Sequence, residues 1–237
     1  MICRTCSGPA PDGFARCYQC DLARSQAGNL LADVVVPLGY AVRGDALAED
    51  LRRYKSDRAG AGESAARLTD MLGGFLRDGA DSVWQAAGMP AGPSAVAVVP
   101  SGQGRPGPHP LTAIVGSCTD LPLVRLSVDP GVTHVRGVTL GWLRVDGPVA
   151  GADVLVIDDT WVSGGSAQSA AAALKLAGAR RVAIVVLGRH VNPGDLRSAR
   201  FVAAIAASAV PRRPHGSSWL QDNDPAGERR QPCNTPC

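Results

Sequence analysis

The chain has 237 residues, 24 Lys and Arg against 21 Asp and Glu, and 45% hydrophobic content, enough for one substantial core with a small appended module. A net charge of +3 over this length is too slight to argue nucleic-acid binding by itself. No apolar run approaches the roughly 18 uncharged residues of a membrane span, and residues 1 to 30 show no charged start, long apolar run or small-residue cleavage site, so a cytoplasmic protein is expected.

The amino terminus carries Cys3-Arg-Thr-Cys6 and Cys17-Tyr-Gln-Cys20, two C-x-x-C knuckles joined by a loop with Gly8, Pro9, Pro11 and Gly13. Four thiolates at that spacing can close a tetrahedron around zinc. A piece of about 25 residues cannot bury enough apolar surface to stand alone, and a metal is the usual remedy. Two disulfides in an exported protein are the competing arrangement, and the expected reducing cytoplasm favours zinc. Next come a short strand, Val34-Val-Val-Pro-Leu-Gly-Tyr40, and an amphipathic stretch with Leu47, Leu51 and Tyr54-Lys55. Ala65, Leu68, Leu72, Phe75 and Leu76 recur at helical spacing, which predicts one long helix over residues 61 to 87, with Gly73-Gly74 as its weak point. A Gly/Pro-rich connection leads into an apolar strand, Ala95-Val-Ala-Val-Val-Pro100. A helix from Leu111 to Cys118 and a strand from Leu123 to Leu126 follow, with Cys118 expected to be a buried structural thiol. Residues 127 to 150 hold several Gly and no strong period, as in a flap between strands, where Arg136 and, more weakly, His134 are candidate anion contacts.

The most informative segment is Val154-Leu-Val-Ile-Asp-Asp-Thr-Trp-Val-Ser-Gly-Gly-Ser166. Four apolar residues predict a buried strand, two carboxylates follow at its end, and a Ser-Gly-Gly-Ser loop opens an Ala-rich helix from Ser166 to Ala177, stopped by Gly178. The first N–H groups of a helix lack internal partners and carry partial positive charge, which favours a phosphate. Gly164 and Gly165 let the backbone approach it, and the hydroxyls of Ser163 and Ser166 add hydrogen bonds. Asp158 and Asp159 are expected across the same crevice, able to hold sugar hydroxyls or a hydrated magnesium ion. A ligand bearing a phosphate and a ribose diol fits that pairing. Neither a G-x-x-x-x-G-K-[ST] loop nor a G-x-G-x-x-G after a strand is present, so P-loop and dinucleotide readings fall away. A receiver domain shares the paired acids but lacks the glycine-rich turn.

Trp161 is expected to pack on the fold, with stacking over a ligand as the alternative. Arg181 through Leu187 predicts another apolar strand, with Arg189 and His190 at the carboxyl end, where open sheets bind ligands; a plain turn is the other reading. The stretch from Pro211 to Cys237 is polar and Pro-rich, as in a loosely attached tail, and Cys233 and Cys237 in it stay unassigned. Strands alternating with helices imply an α/β fold with a mostly parallel sheet covered on both faces.

The strand, acid pair and glycine-rich loop resemble the signature of type I phosphoribosyltransferases. That resemblance implies Asp158 and Asp159 on the ribose of phosphoribosyl pyrophosphate and Ser163, Gly164, Gly165 and Ser166 around its 5'-phosphate, with Thr160, Trp161 and Val162 as further substrate-binding positions. Val162 stands where many members have Thr and purine-salvage members have Asp. With the four-Cys knuckle in front, residues 1 to about 192 look like the ComF family, a competence-associated group with a zinc ribbon before a phosphoribosyltransferase domain. Val34 to Tyr40, the helix reaching Tyr54-Lys55 and Ala95 to Pro100 match as well. The family continues with an Arg-rich segment and Arg-Gly-Phe-Asn, whereas this chain reads Ser101-Gly-Gln-Gly-Arg-Pro-Gly-Pro-His109, leaving Arg105 as the anion partner. The resemblance implies a zinc ribbon over residues 1–28, a phosphoribosyltransferase-like domain over 29–210 and a flexible tail over 211–237. It also implies transfer of a phosphoribosyl group with magnesium on the pyrophosphate, met by Arg105 or Arg136. The alternative is a noncatalytic factor that binds single-stranded DNA or senses a phosphoribosyl ligand.

Overall fold

The computed structural model describes residues 1–56, 59–101 and 109–207, so Arg105 and the tail cysteines Cys233 and Cys237 lie outside the described residues. The elements run α1 (Tyr18–Ala27), β1 (Val34–Pro37), β2 (Tyr40–Val42), α2 (Ala46–Arg53), α3 (Ala61–Asp78), α4 (Ala80–Ala86), β3 (Ala95–Val98), α5 (Pro110–Gly116), β4 (Leu123–Val128), β5 (Leu143–Asp146), β6 (Asp153–Trp161), α6 (Gly165–Leu176), β7 (Arg181–Val191) and α7 (Leu196–Ala206).

The strands form one sheet in the order β1-β7-β6-β3-β4-β5, with β2 also on β7. All described pairings are parallel except β4 with β5. Such a sheet needs cover on both faces, which explains its near-continuous apolar strands. Leu155 and Ile157 of β6 pack with Leu51, Leu68, Leu72, Val83 and Ile114 on the α2 to α5 side. Val154 and Val156 pack with the alanines of α6 and with Cys3, Cys6 and Cys20 on the other. The expected α/β architecture is therefore present, and the cysteine knuckle shares an apolar cluster with the sheet.

Several boundaries differ from expectation. The predicted long helix breaks at Gly79, whose φ of −127° ends α3 before α4 begins, while Gly73-Gly74 passes within the helix. Residues 127 to 150 contain β5, which pairs with β4 and gives the supposed flap a strand of its own. α7 had no counterpart in the sequence reading; its Phe201 meets Tyr40 edge-on at 5.2 Å. Cys118 is half-buried, and burial raises its thiol pKa, in keeping with a structural role. Among the described residues no helix is long and apolar enough to cross a membrane.

Candidate functional site

The site begins where β6 runs out at the carboxyl edge of the sheet. The acids stand inside β6, which extends through Thr160 to Trp161, and do not follow it. Ladder pairing with β7 runs from Asp153↔Arg181 to Asp158↔Val186 and resumes at Thr160↔Gly188 and Trp161↔Arg189. Neighbours in an extended strand leave on opposite sides. Asp159 turns to the α2 side, where Leu155 and Ile157 of the same strand also pack, and Asp158 is its immediate neighbour at the strand end.

Asp159 is 6% exposed and already engaged. Tyr54 Oη donates to Asp159 Oδ2 at 2.5 Å, and Lys55 Nζ forms an ion pair with the same oxygen. Both partners come from the end of α2. That helix starts at Asp45, whose Oδ1 accepts the Ala48 N–H at 2.8 Å, and it is tied to α3 through Asp50, which accepts from Ser64 Oγ at 2.8 Å and pairs with Arg67. In the sequence Tyr54-Lys55 stands out only as part of an amphipathic stretch, with nothing local to tie it to the acids. Asp158 Oδ1 accepts the Asp159 N–H at 2.9 Å. Burial, followed by the charge of Asp159, pushes the Asp158 carboxyl up to about 8, which keeps it protonated at neutral pH.

The turn after β6 holds Val162 exposed and Ser163 half-buried. Gly164 adopts φ 81°, in the left-handed region, and a Cβ there would meet the Trp161 ring at 2.1 Å. Trp161 is 2% exposed and lies under the turn, so packing is its role. α6 starts at Gly165, one residue before the expected Ser166. The carbonyl oxygen of Gly137 comes so near Gly165 that a Cβ would stand 2.3 Å from it. This approach brings the His134 segment over the start of α6. His134 Nε2 is 3.1 Å from Ser166 Oγ, Nδ1 is 3.1 Å from Thr139 Oγ1, and the ring stacks on Trp142 at 4.0 Å. Burial lowers the His134 pKa and favours a neutral ring. Gly165 N–H donates to Ser163 Oγ at 3.3 Å. Arg136 is exposed.

A cleft of about 680 Å³ lies on the α2 side of the same edge, lined in part by Thr160, His190, Asn192, Arg43 and Leu51. Thr160 and His190 thus border open space, whereas Arg189 is buried and serves the fold behind them. Its Nη1 donates to the carbonyl oxygens of Trp161 (3.0 Å), Val162 (3.2 Å) and His190 (2.6 Å). The strand expected to end at Leu187 runs on to Val191, so Arg189 lies inside β7 and not in a turn, and burial obliges its guanidinium to find partners.

The four knuckle cysteines have their sulfur atoms within 4.8 Å of one another. Cys6 Sγ and Cys17 Sγ are 3.8 Å apart. A tetrahedron with metal–sulfur bonds of about 2.3 Å has edges of about 3.8 Å. The four thiols hydrogen-bond to one another, which lowers Cys3 and Cys6 and raises Cys17 and Cys20, as expected of a close-packed thiol cluster. The donor set fits a structural zinc ion.

No family model matches the chain, and no curated protein matches it. Solved structures do resemble it. Orotate phosphoribosyltransferase of Mycobacterium tuberculosis H37Rv is 21% identical, covering 74% of this chain and 88% of that one at a TM-score of 0.36. A phosphoribosyltransferase of Corynebacterium diphtheriae is 21% identical, covering 79% and 89% at 0.33. Phosphoribosylpyrophosphate synthetase of Mycobacterium smegmatis is 22% identical over 54% of this chain and only 36% of its own length, at 0.33. These likenesses are faint, and the functional reading rests on the strand end itself.

Proposed function

We propose that the chain binds phosphoribosyl pyrophosphate with magnesium and transfers its 5-phosphoribosyl group to an acceptor, as a cytoplasmic protein of the ComF type. The observation that carries this reading is the turn from β6 to α6, with Gly164 in the left-handed region and a carboxyl pair one strand turn upstream. The amides of this turn and the Ser163 and Ser166 hydroxyls suit a 5'-phosphate. A neutral Asp158 can both donate to and accept from a sugar hydroxyl, while Asp159 accepts, so the pair suits a diol. In the transfer, the bond from ribose C1 to the diphosphate oxygen breaks, the pyrophosphate leaves with the electron pair, and the acceptor's lone pair forms the new bond at C1. Magnesium would neutralise the leaving diphosphate. The chain's own share is positioning: Asp158 and Asp159 orient the ring, residues 163–166 hold the phosphate, and Arg105 or Arg136 meets the diphosphate. Zinc on Cys3, Cys6, Cys17 and Cys20 would be structural, in a ribbon spanning 1–28 ahead of a domain over 29–210 and a tail over 211–237.

Calorimetry with magnesium and phosphoribosyl pyrophosphate tests the reading. The wild type should bind, and Asp158→Asn with Asp159→Asn should weaken binding by at least about tenfold, the scale of one or two charge-assisted hydrogen bonds. Unchanged affinity would sink it. Pyrophosphate release with candidate nucleobases and amines then separates turnover from sensing. A second reading, single-stranded DNA binding by the knuckle, is favoured by the exposure of Phe14 and Tyr18, 42% and 70%, as stacking platforms. It requires a DNA mobility shift that weakens with salt and disappears on Tyr18→Ala.

A further inference from the structure

Arg189 stands between two features that the sequence keeps far apart. On one side its Nη1 binds the carbonyl oxygens of Trp161 and Val162, the residues that lead from β6 into the turn. On the other side lies the cysteine knuckle. A Cβ at Gly8 would stand 2.6 Å from Arg189 Nε and 2.7 Å from Nη2, so the knuckle backbone rests on the guanidinium and a side chain there would have to push it aside. Tyr40 Oη, from the neighbouring β2, donates to the Ser7 carbonyl at 2.9 Å and holds the knuckle in that place. Arg189 is 8% exposed, and its Nε has no hydrogen-bond partner.

A buried cation with an unsatisfied donor needs an anion beside it. Four thiolates around a divalent ion carry a net charge of about −2, and here they sit in the knuckle whose backbone lies against the guanidinium. We propose that Arg189 is a positioning residue that ties the four-thiolate metal centre to the Trp161–Val162 backbone, so that metal loading fixes the turn that receives the phosphate. The coupling rests on the phosphoribosyl reading only for what the turn binds. The tie between centre and turn is a property of the fold.

The consequence is that metal state is read out more than one strand away from the cysteines. A loaded centre holds the guanidinium in place, and the guanidinium holds two carbonyls whose peptide planes aim the following amides. Without the cation nothing gathers the four sulfurs, the knuckle backbone that rests on the guanidinium is released, and the side chain no longer has reason to stay buried.

Hydrogen–deuterium exchange on the full chain tests this, with zinc content measured in parallel. In the zinc-loaded wild type the amides of residues 162–167 should exchange slowly, and chelation should speed them by about tenfold while residues 154–157 of β6 stay protected. Arg189→Met, with zinc retained, should speed the same amides without a chelator. Arg189→Lys keeps the charge but lacks the planar group whose Nη1 meets both carbonyls while Nε and Nη2 lie against the knuckle at Gly8, and it too should loosen the turn with zinc in place. Turn exchange within about twofold of wild type in zinc-loaded Arg189→Lys or Arg189→Met overturns the proposal, whether or not chelation also unfolds β6. Titration with inorganic phosphate distinguishes the two ideas. A wild type that fails to bind phosphate while its turn still responds to metal rejects the functional reading and leaves the coupling standing.

Discussion

At the scale of single residues, Asp158 is the clearest mark of a site in this chain. Its folded-state value of about 8 lies above that of an unfolded carboxyl, so the native state holds a proton that the unfolded chain releases. Stability from this group is complete below about pH 4 and is lost as pH rises toward that folded value. Asp158→Asn keeps an acceptor for the Asp159 N–H and removes the titration. The variant should match wild type in urea near pH 4 and exceed it by about 1–3 kcal/mol at pH 8. Equal stability at both pH values would refute the strain assigned to this carboxyl. Asp158, Asp159, Gly164 and the four knuckle cysteines were legible in the sequence because chemistry restricts those residue types at those spacings. The partners of Asp159 were not, because Tyr54 and Lys55 lie 105 and 104 residues upstream and only the packing of α2 on the sheet brings them near. Arg189 is legible as a candidate at the strand end, but its tie to the knuckle is not, because Gly8 stands at the opposite end of the chain.

At the scale of elements, the turn between β6 and α6 is confined from below by Trp161 and from outside by Gly137. Gly165→Ala would drive a methyl into the Gly137 carbonyl and push the His134 segment off Ser166. A loss of about 2–4 kcal/mol is expected, with phosphate affinity falling in parallel. A thermal midpoint unchanged from wild type would contradict the close approach. α2 acts as a bracket for Asp159, and Tyr54→Phe should cost about 1 kcal/mol in chemical denaturation through the lost hydrogen bond. Helix and strand identities followed from apolar periodicity, which reports burial and is silent on breaks. The break at Gly79 rests on one dihedral, and β5 is a short edge strand, with half its residues exposed. Neither leaves a periodic trace.

At the scale of the whole molecule, Cys3, Cys6 and Cys20 share a core with Val154, Ile184 and the α6 alanines, so the knuckle is sewn into the sheet's packing. Removing its metal should therefore lower the main thermal transition. A chelator is expected to shift the single melting step of the protein by about 5 °C or more, given what a few kcal/mol does to a domain of this size. A separate low-temperature step that leaves the main one in place would show that the knuckle melts alone. The order of the strands was not readable from the sequence. It depends on which connections cross over which face, and no local residue pattern encodes that.

Lys55 gives the molecule a particular order of events. Its ammonium already rests on Asp159, so a lone divalent ion has to evict a resident positive charge before it reaches that carboxylate. An ion escorted by a diphosphate brings its own counter-charge and leaves the ammonium something to grip. Saturation by cation alone should then be poor and saturation by the complex good, and the carboxylate changes partners only when the cargo is aboard.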